Sequence, residues 1–180
     1  ASSRQLVRAP SFRDPTQNRR GGNINMNSQV KLDKLVLCRF ENLPVKIQRM
    51  LRTASIIGFT FSSNVLYGVL PLNLKDQMSA AMVNLLNQKW LFQDMENETL
   101  YQFAHPYAHQ IIYELTPTCE RAHLHKAIAD YIAETCGDDR SQFAMLSFHY
   151  QHCDTDKALK YCVEATVELL RVDTIFDFGD

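Results

Sequence analysis

The apolar residues of this chain recur at helical spacing almost throughout, and the period changes at one place, residues 90–103. There, Trp90–Asp94 and Leu100–Phe103 flank a polar turn at Glu96–Thr99, a pattern that predicts a β-hairpin of two short strands. Because helical spacing occupies both sides of the hairpin, the chain is predicted to be mainly α, with α+β character only locally.

The segments before the hairpin predict a small helical domain. Apolar spacing indicates a first helix near residues 30–40, and Leu43-Pro44 restarts the pattern for a second helix that ends at Gly58. Ser62 or Ser63 can cap a short helix that ends before Pro71. Asn73 is predicted to cap the helix that follows and reaches the hairpin. Three helices directly before a hairpin, here the last three of the four, is the order of a winged helix, so we predict a winged-helix-like domain at 30–105.

Helical spacing resumes after the hairpin. Pro106 opens a predicted helix, Thr116-Pro117 resets the chain, and the next helix ends at Gly137. Two further helices are predicted, at Ser141–His152 and after a cap at Asp154 or Thr155. Small residues facing aromatic ones on paired helices favour the start of an array like tetratricopeptide (TPR) repeats, which we assign to 106–172. Ile175, Phe176 and Phe178 are apolar and have no predicted partner in the chain, and we interpret residues 173–180 as a truncated tail.

The formal charge of -1 is unevenly distributed. Residues 1–29 contain a single acid and five arginines: Arg4, Arg8, Arg13, Arg19 and Arg20. They contain few large apolar groups, so burial cannot offset the entropy of ordering them, and we predict a disordered basic linker. The alternative is an electrostatic arm for nucleic acid or anionic lipid.

The cysteine count and the hydropathy pattern indicate the cellular compartment in which the chain is expected. Five cysteines without CxxC spacing favour reduced thiols over a disulfide framework. No apolar run approaches the roughly 18 residues that a membrane span requires. We therefore expect a soluble, cytoplasmic chain with no membrane span, and its start at Ala1 suggests a fragment or a processed product.

Four histidines invite a metal-site hypothesis. His105 and His109 would share a helix face, and His123 and His125 follow, with Cys119 as a further candidate ligand for zinc. However, His123 and His125 would point to different sides of one helix. We favour one or two buried histidines that bond backbone carbonyls, and predict no metal site.

Catalytic and nucleic-acid motifs are also missing from the sequence. It has neither GxxxxGK[ST] nor GxGxxG, and the proximity of Cys119 and Cys136 to His and Glu does not define a triad. We predict no catalytic residue and no cofactor in this chain. The predicted helix after Asn73 carries Lys75 and Lys89 against Asp76, which is weak for phosphate binding. Nucleic acid is therefore an unfavoured partner.

Spaced residues resemble a known superfamily. They resemble the winged-helix region that follows the ATPase core of STAND-type signalling NTPases, and the nearest likeness is to the C-terminal, non-catalytic region of bicarbonate-responsive soluble adenylyl cyclases. The resemblance extends from about Leu32 to Leu170. The residues that carry it are Leu43-Pro44, Leu51, Ala54–Phe61, Leu66, Leu70-Pro71, Phe103–Pro106, Tyr113–Leu115, Arg121, Leu124-His125, Ala129, Tyr131-Ile132 and Ser147–Tyr150.

The resemblance implies a parent protein that makes cyclic AMP from ATP with a divalent metal, using cyclase domains and a phosphate loop upstream of this segment. It implies that this chain relays state between the ATPase-like core and the helical repeats, its intramolecular partners, with other proteins as further possible partners. The resemblance makes six residues structural: Phe103, His105, Tyr113, Arg121, Leu124 and His125. His105 would end the second strand, His125 would lie in the helix behind it, and Phe103 and Tyr113 would pack between them.

The leading hypothesis is thus a non-catalytic regulatory or scaffold segment of a soluble adenylyl-cyclase-like signalling protein. The alternative is a stand-alone winged-helix adaptor or DNA-binding module with a basic N-terminal arm. A separate hypothesis is that exposed histidines make the segment a pH sensor, because histidine titrates near neutral pH. Catalysis within the chain itself is the least favoured.

Overall fold

The computed structural model describes residues 26–136 and 139–176. The described chain is mainly helical with one small three-stranded antiparallel sheet, which confirms the mainly α class. It forms two compact units, residues 26–117 and 118–176. Most of the predicted basic linker (1–25) and the end of the predicted tail (177–180) lie outside the described residues.

The first unit contains six helices and all three strands of the described chain. In order they are α1 (Met26–Glu41), α2 (Val45–Ile57), β1 (Thr60–Ser62), α3 (Ser63–Val69), α4 (Leu72–Lys75), α5 (Met78–Asn87), β2 (Leu91–Gln93), β3 (Leu100–Phe103) and α6 (Pro106–Glu114). Residues 26–29, which we assigned to the linker, are helical. The unit includes α6, whereas the sequence analysis placed the boundary before this helix.

The β-hairpin is confirmed, and the structure adds a strand that the sequence analysis missed. β2 and β3 pair antiparallel with Leu91 opposite Phe103, and β1 pairs with the other edge of β3, giving the order β1-β3-β2. β1 has only three residues and no alternation long enough to detect. Its central residue Phe61 is buried, so tertiary packing fixes this strand.

Helix termini follow the predicted signals in most places. The Ser62 hydroxyl accepts a hydrogen bond from the backbone N–H of Asn64, 3.2 Å away, and so caps α3. Gly58 ends α2 at φ 156°, and its N–H donates to Ala54 O at 3.2 Å. A Cβ built on Gly58 would lie 3.3 Å from Thr60 O, so both the dihedral and the space favour glycine there.

The predicted long helix from Asn73 to the hairpin is wrong. The structure has a single turn, α4, and then α5, with Asn73 inside α4 rather than capping it. The N–H of Gln77 donates to Leu74 O at 3.1 Å, a bond to the third residue back. An α-helical ladder uses the fourth, so this tightened turn interrupts the helix and separates the two segments.

The core of the first unit joins its helices to the inner face of the sheet. Its largest fully buried side chains are Phe40, Met50, Leu51, Ile56, Leu66, Leu74, Leu85, Leu91, Phe103 and Ile112. At one border, the Arg39 guanidinium lies 4.6 Å from the centre of the Trp90 ring and donates to Gln88 O at 2.7 Å. Tyr107 of α6 donates to Asp33 of α1, which ties α6 to this unit.

The second unit consists of helices, as predicted. It contains α7 (Thr118–Cys136), a 3-10 turn (Arg140–Gln142), α8 (Phe143–Tyr150) and α9 (Thr155–Phe176). Asp154 caps α9 by accepting from the N–H of Lys157 at 3.1 Å. Ile128, Ile132 and Leu146 are buried between the helices, whereas α9 leaves Leu159 65% exposed. None of the helices in the described ranges combines the length and the apolarity needed to cross a bilayer.

Candidate functional site

Three of the six residues to which the resemblance assigns a structural role lie in the first unit. Phe103 is fully buried on β3, with its ring centre 4.9 Å from that of His109 and 6.0 Å from that of Phe61. His105 is exposed and lies after the end of β3, as the residue that precedes α6. Tyr113 is half-buried on α6. The core position of Phe103 gives it a direct role in holding the sheet to α6.

The other three lie on the first helix of the second unit, α7. Arg121 is half-buried and donates from Nη2 to the Thr118 hydroxyl at 3.1 Å. Leu124 is partly exposed, and His125 is fully buried. The predicted packing of Phe103 and Tyr113 between His105 and His125 would span the two units and stays a prediction.

The main polar feature of the second unit is a pair of buried histidines. His125 of α7 and His149 of α8 have no exposed surface, and their Nδ1 atoms are 2.9 Å apart. At that distance one nitrogen carries a proton and the other accepts it. Buried histidines were expected from the sequence to bond backbone carbonyls, whereas His125 bonds a second histidine, His149.

Two more rings complete what we call the histidine cluster, made of His125, Phe148, His149 and His152. The exposed His152 stacks on His125 with ring centres 3.9 Å apart and planes 21° apart. Phe148 meets His125 edge-on at 5.8 Å and His149 at 5.2 Å. The aromatic contacts therefore hold the imidazole pair from the side, and His152 lies between His125 and solvent.

His149 has one polar atom without a partner. Its Nε2 is buried and has no hydrogen-bond partner in the part of the chain that the structure describes. If His149 donates through Nδ1, Nε2 is a bare lone pair; if it accepts there, Nε2 carries a proton with no acceptor. Each arrangement leaves a desolvated polar atom, which typically costs about 1–3 kcal/mol.

The surroundings hold the cluster neutral. Burial is the largest cause that lowers the pKa of His125, followed by the neighbouring His152 and His149 and by Arg121. Burial also lowers the pKa of His149, with His152 adding to the effect. The pKa of His152 is lowered by its partial burial and then by Arg121. At neutral pH the cluster is thus a set of uncharged imidazoles, and charging it requires acid.

A second structural histidine lies in the first unit. His109 Nε2 is 2.9 Å from Ser55 O, which requires Nε2 to carry the proton and donate. Burial lowers the pKa of His109, and the bond to Ser55 raises it by a smaller amount. Phe59 and Phe103 meet its ring edge-on at 5.9 and 4.9 Å. His109 therefore joins α6 to α2.

The structure distributes the histidines of the zinc hypothesis between the two units. His105 and His109 lie in the first unit and His123 and His125 in the second. Within residues 26–136 and 139–176, no three His, Cys, Asp or Glu side chains are arranged to hold a metal ion. The arrangement that is present, two hydrogen-bonded imidazoles under a third, is suited to holding helices together and to responding to acid.

A tyrosine-carboxylate contact lies beside the cluster, at the junction of α7, α8 and α9. The Tyr150 hydroxyl donates to Asp130 Oδ1 at 2.9 Å, and the Tyr150 and Tyr161 rings stack with centres 5.7 Å apart. Burial and the bond to Asp130 raise the pKa of Tyr150. Lys157 lies 3.9 Å from Asp130. These contacts join all three helices.

Comparison of the chain with protein-family models, with curated proteins and with solved structures yields no match.

Proposed function

We propose that this chain is a non-catalytic regulatory or scaffold segment of a soluble adenylyl-cyclase-like signalling protein. In that protein it relays state between an ATPase-like core and helical repeats, both within the same polypeptide. ATP and a divalent metal belong to the parent's upstream domains in this proposal. The chain's own residues contribute packing surfaces and no reaction step.

The observation that carries the proposal is the element order of the first unit. A helix (α2), a short strand (β1), helices and then a two-stranded hairpin follow one another, and the sheet order is β1-β3-β2. This is the order of a winged helix, the element that the resemblance assigns to this region. The motif residue Phe103 is fully buried where that sheet meets α6.

Packing in the second unit supports the repeat-like part of the proposal. Ser147 Oγ donates to Ala158 O at 2.9 Å, so small residues bring α8 and α9 close together. Aromatic rings fill the adjacent positions, with Phe143 and Tyr161 5.5 Å apart. Helix pairs of this kind form the units of TPR-like arrays, in which each pair packs on its neighbours.

The proposal is tested with the full-length product of the gene that encodes this chain. We expect that product to contain a phosphate loop and cyclase domains upstream of Ala1, to form cyclic AMP from ATP, and to be stimulated by bicarbonate. Phe103→Ala should weaken the stimulation more than the basal rate, because it loosens the relay and leaves the catalytic domains intact. A full-length product that forms no cyclic AMP would overturn the proposal, as would turnover by the isolated chain.

The alternative is a stand-alone winged-helix adaptor or DNA-binding module. Protein binding is the better-supported form of it, because α5 contains no lysine or arginine and residues 91–103 contain three acids and no base. DNA affinity depends on clustered positive charge at the phosphates. A salt-sensitive mobility shift of duplex DNA at submicromolar protein would instead favour the DNA-binding form.

A further inference from the structure

The outer face of the small sheet carries an exposed apolar patch with acidic neighbours. Antiparallel register places Phe92, Gln102 and Thr60 in one row across the sheet, and Leu91 and Phe103 point to the opposite, buried face. Phe92 is 55% exposed. Phe92 lies on the edge strand β2, so an exposed aromatic ring stands at the border of this solvent-facing row and is open to contact.

The turn of the hairpin extends this surface and is tightly hydrogen-bonded. Asp94 Oδ1 accepts from the N–H groups of Glu96 and Asn97 at 2.8 and 2.9 Å. Asn97 Oδ1 accepts from the N–H and the hydroxyl of Thr99 at 3.0 and 2.7 Å. In this ordered turn Met95 is 98% exposed. A fixed turn that presents an apolar side chain loses little entropy when that side chain is buried.

The charged side chains of the hairpin itself are all acidic. The patch, which we call the hairpin patch, consists of Phe92, Asp94, Met95, Glu96, Glu98 and Leu100. Residues 91–103 contain no lysine, arginine or histidine. An occupant of this surface therefore has to combine apolar side chains with positive charge.

A segment of the same chain has that composition. Residues 4–13 contain three large apolar side chains and three arginines: Leu6, Val7 and Phe12 with Arg4, Arg8 and Arg13. We propose that this basic N-terminal segment docks on the hairpin patch, with its arginines beside the acids and its apolar side chains on Phe92 and Met95. The proposal assigns a role to the basic residues that does not involve nucleic acid, and it does not depend on the identity of the parent protein.

The length of the chain permits this contact. The 13 residues from Arg13 to Met26 can span up to about 45 Å when extended. A compact unit of the size of residues 26–117 has a radius of gyration of about 12 Å. The extended tether is more than three times as long as that radius of gyration, so residues 4–13 can lie against the first unit, and tethering gives them a high local concentration there.

Photo-crosslinking in the full 180-residue chain tests the proposal. A benzophenone amino acid replaces Met95, whose exposed side chain makes the change tolerable, and crosslinked peptides are identified by mass spectrometry. We expect crosslinks from position 95 to residues 1–25 within one monomer. The same reagent at Leu72, which is 82% exposed on another part of the unit, should give none to that segment.

Charge variants make the test specific. Arg8→Glu with Arg13→Glu should lower the yield of the crosslink about fivefold, the change expected from losing two exposed ion pairs. Glu98→Arg alone should also lower it, and Glu98→Arg combined with Arg13→Glu should restore it. Glu41→Arg, an exposed acid on α1, serves as the matched control and should have no effect. Absence of crosslinks to residues 1–25, or crosslinks only between two copies of the chain, would overturn the proposal.

Discussion

His125 and His149 share one hydrogen between Nδ1 atoms that are 2.9 Å apart, and both rings are fully buried. The bond joins α7 to α8, so a contact between two titratable groups lies inside the packing of the second unit. Neither ring can be charged without placing a cation in the helical interior.

Acid should therefore destabilise the chain. The folded-state pKa of each of these two histidines lies below the unfolded value of about 6.5, so the unfolded chain binds more protons below that pH. Stability is fully present above pH 6.5 and is lost as pH falls below it. At about pH 5.5, one unit below the unfolded pKa, each of the two histidines lowers the free energy of unfolding by about 1.4 kcal/mol. We expect a lower free energy of unfolding at pH 5.5 than at pH 7.5, measured by urea denaturation. Equal stability at the two values would contradict the neutral pair.

Replacing His149 should reduce both stability and its pH dependence. His149→Leu removes the hydrogen bond to His125 and leaves Nδ1 of that ring without a partner, but it also removes the unpartnered Nε2 of His149. The two desolvation costs offset each other, so the free energy of unfolding at pH 7.5 should fall by about 1 kcal/mol, the net value of the lost hydrogen bond. The loss of stability on acidification should also become smaller, because one titrating group is gone. His123→Leu, at an exposed position on α7, is the control and should leave both quantities within about 0.5 kcal/mol.

Substitution of His109 in α6 and of His105, the residue that precedes α6, should have very different effects on stability. His109→Ala removes the bond to Ser55 O and the edge contacts with Phe59 and Phe103, and should cost about 2–3 kcal/mol. His105→Ala, at an exposed position, should be nearly neutral. Trp90 is the only tryptophan of the chain and is buried in the core of the first unit, so its fluorescence measures the unfolding of each variant. Similar losses for the two variants would show that His109 does not join α6 to α2.

Gly58 provides a test of backbone geometry. Gly58→Ala forces a side chain into a positive φ of 156° with its Cβ 3.3 Å from Thr60 O, and should destabilise the chain by about 1–2 kcal/mol. Gly68→Ala lies inside α3, where alanine is the better helix former, and should be neutral or stabilising. In thermal melts, Gly58→Ala should lower the melting temperature, and Gly68→Ala should leave it unchanged or raise it. Equal shifts of the melting temperature would contradict the constraint at Gly58.

Local signals predicted the hairpin and most of the helices, whereas contacts distant in sequence were not predictable. Gly58 and Asp154 mark helix termini because a cap depends on neighbours along the chain. The His125–His149 bond joins positions 24 residues apart, and no pattern near His125 indicates it. A usable signal was present at the end of α8, because His152 follows His149 by three residues and Phe148 by four, the spacings at which side chains on a helical turn are neighbours.

The position of Ser62 has a mechanical consequence. Ser62 is the last residue of β1, opposite Leu100 of β3, and its hydroxyl also caps α3; the N–H of Ser63 bonds to Thr99 O at 2.8 Å. Strand and helix therefore meet without an intervening loop to absorb movement. A displacement of the hairpin would therefore move the start of α3 with it, so that the sheet and this helix move as one rigid body.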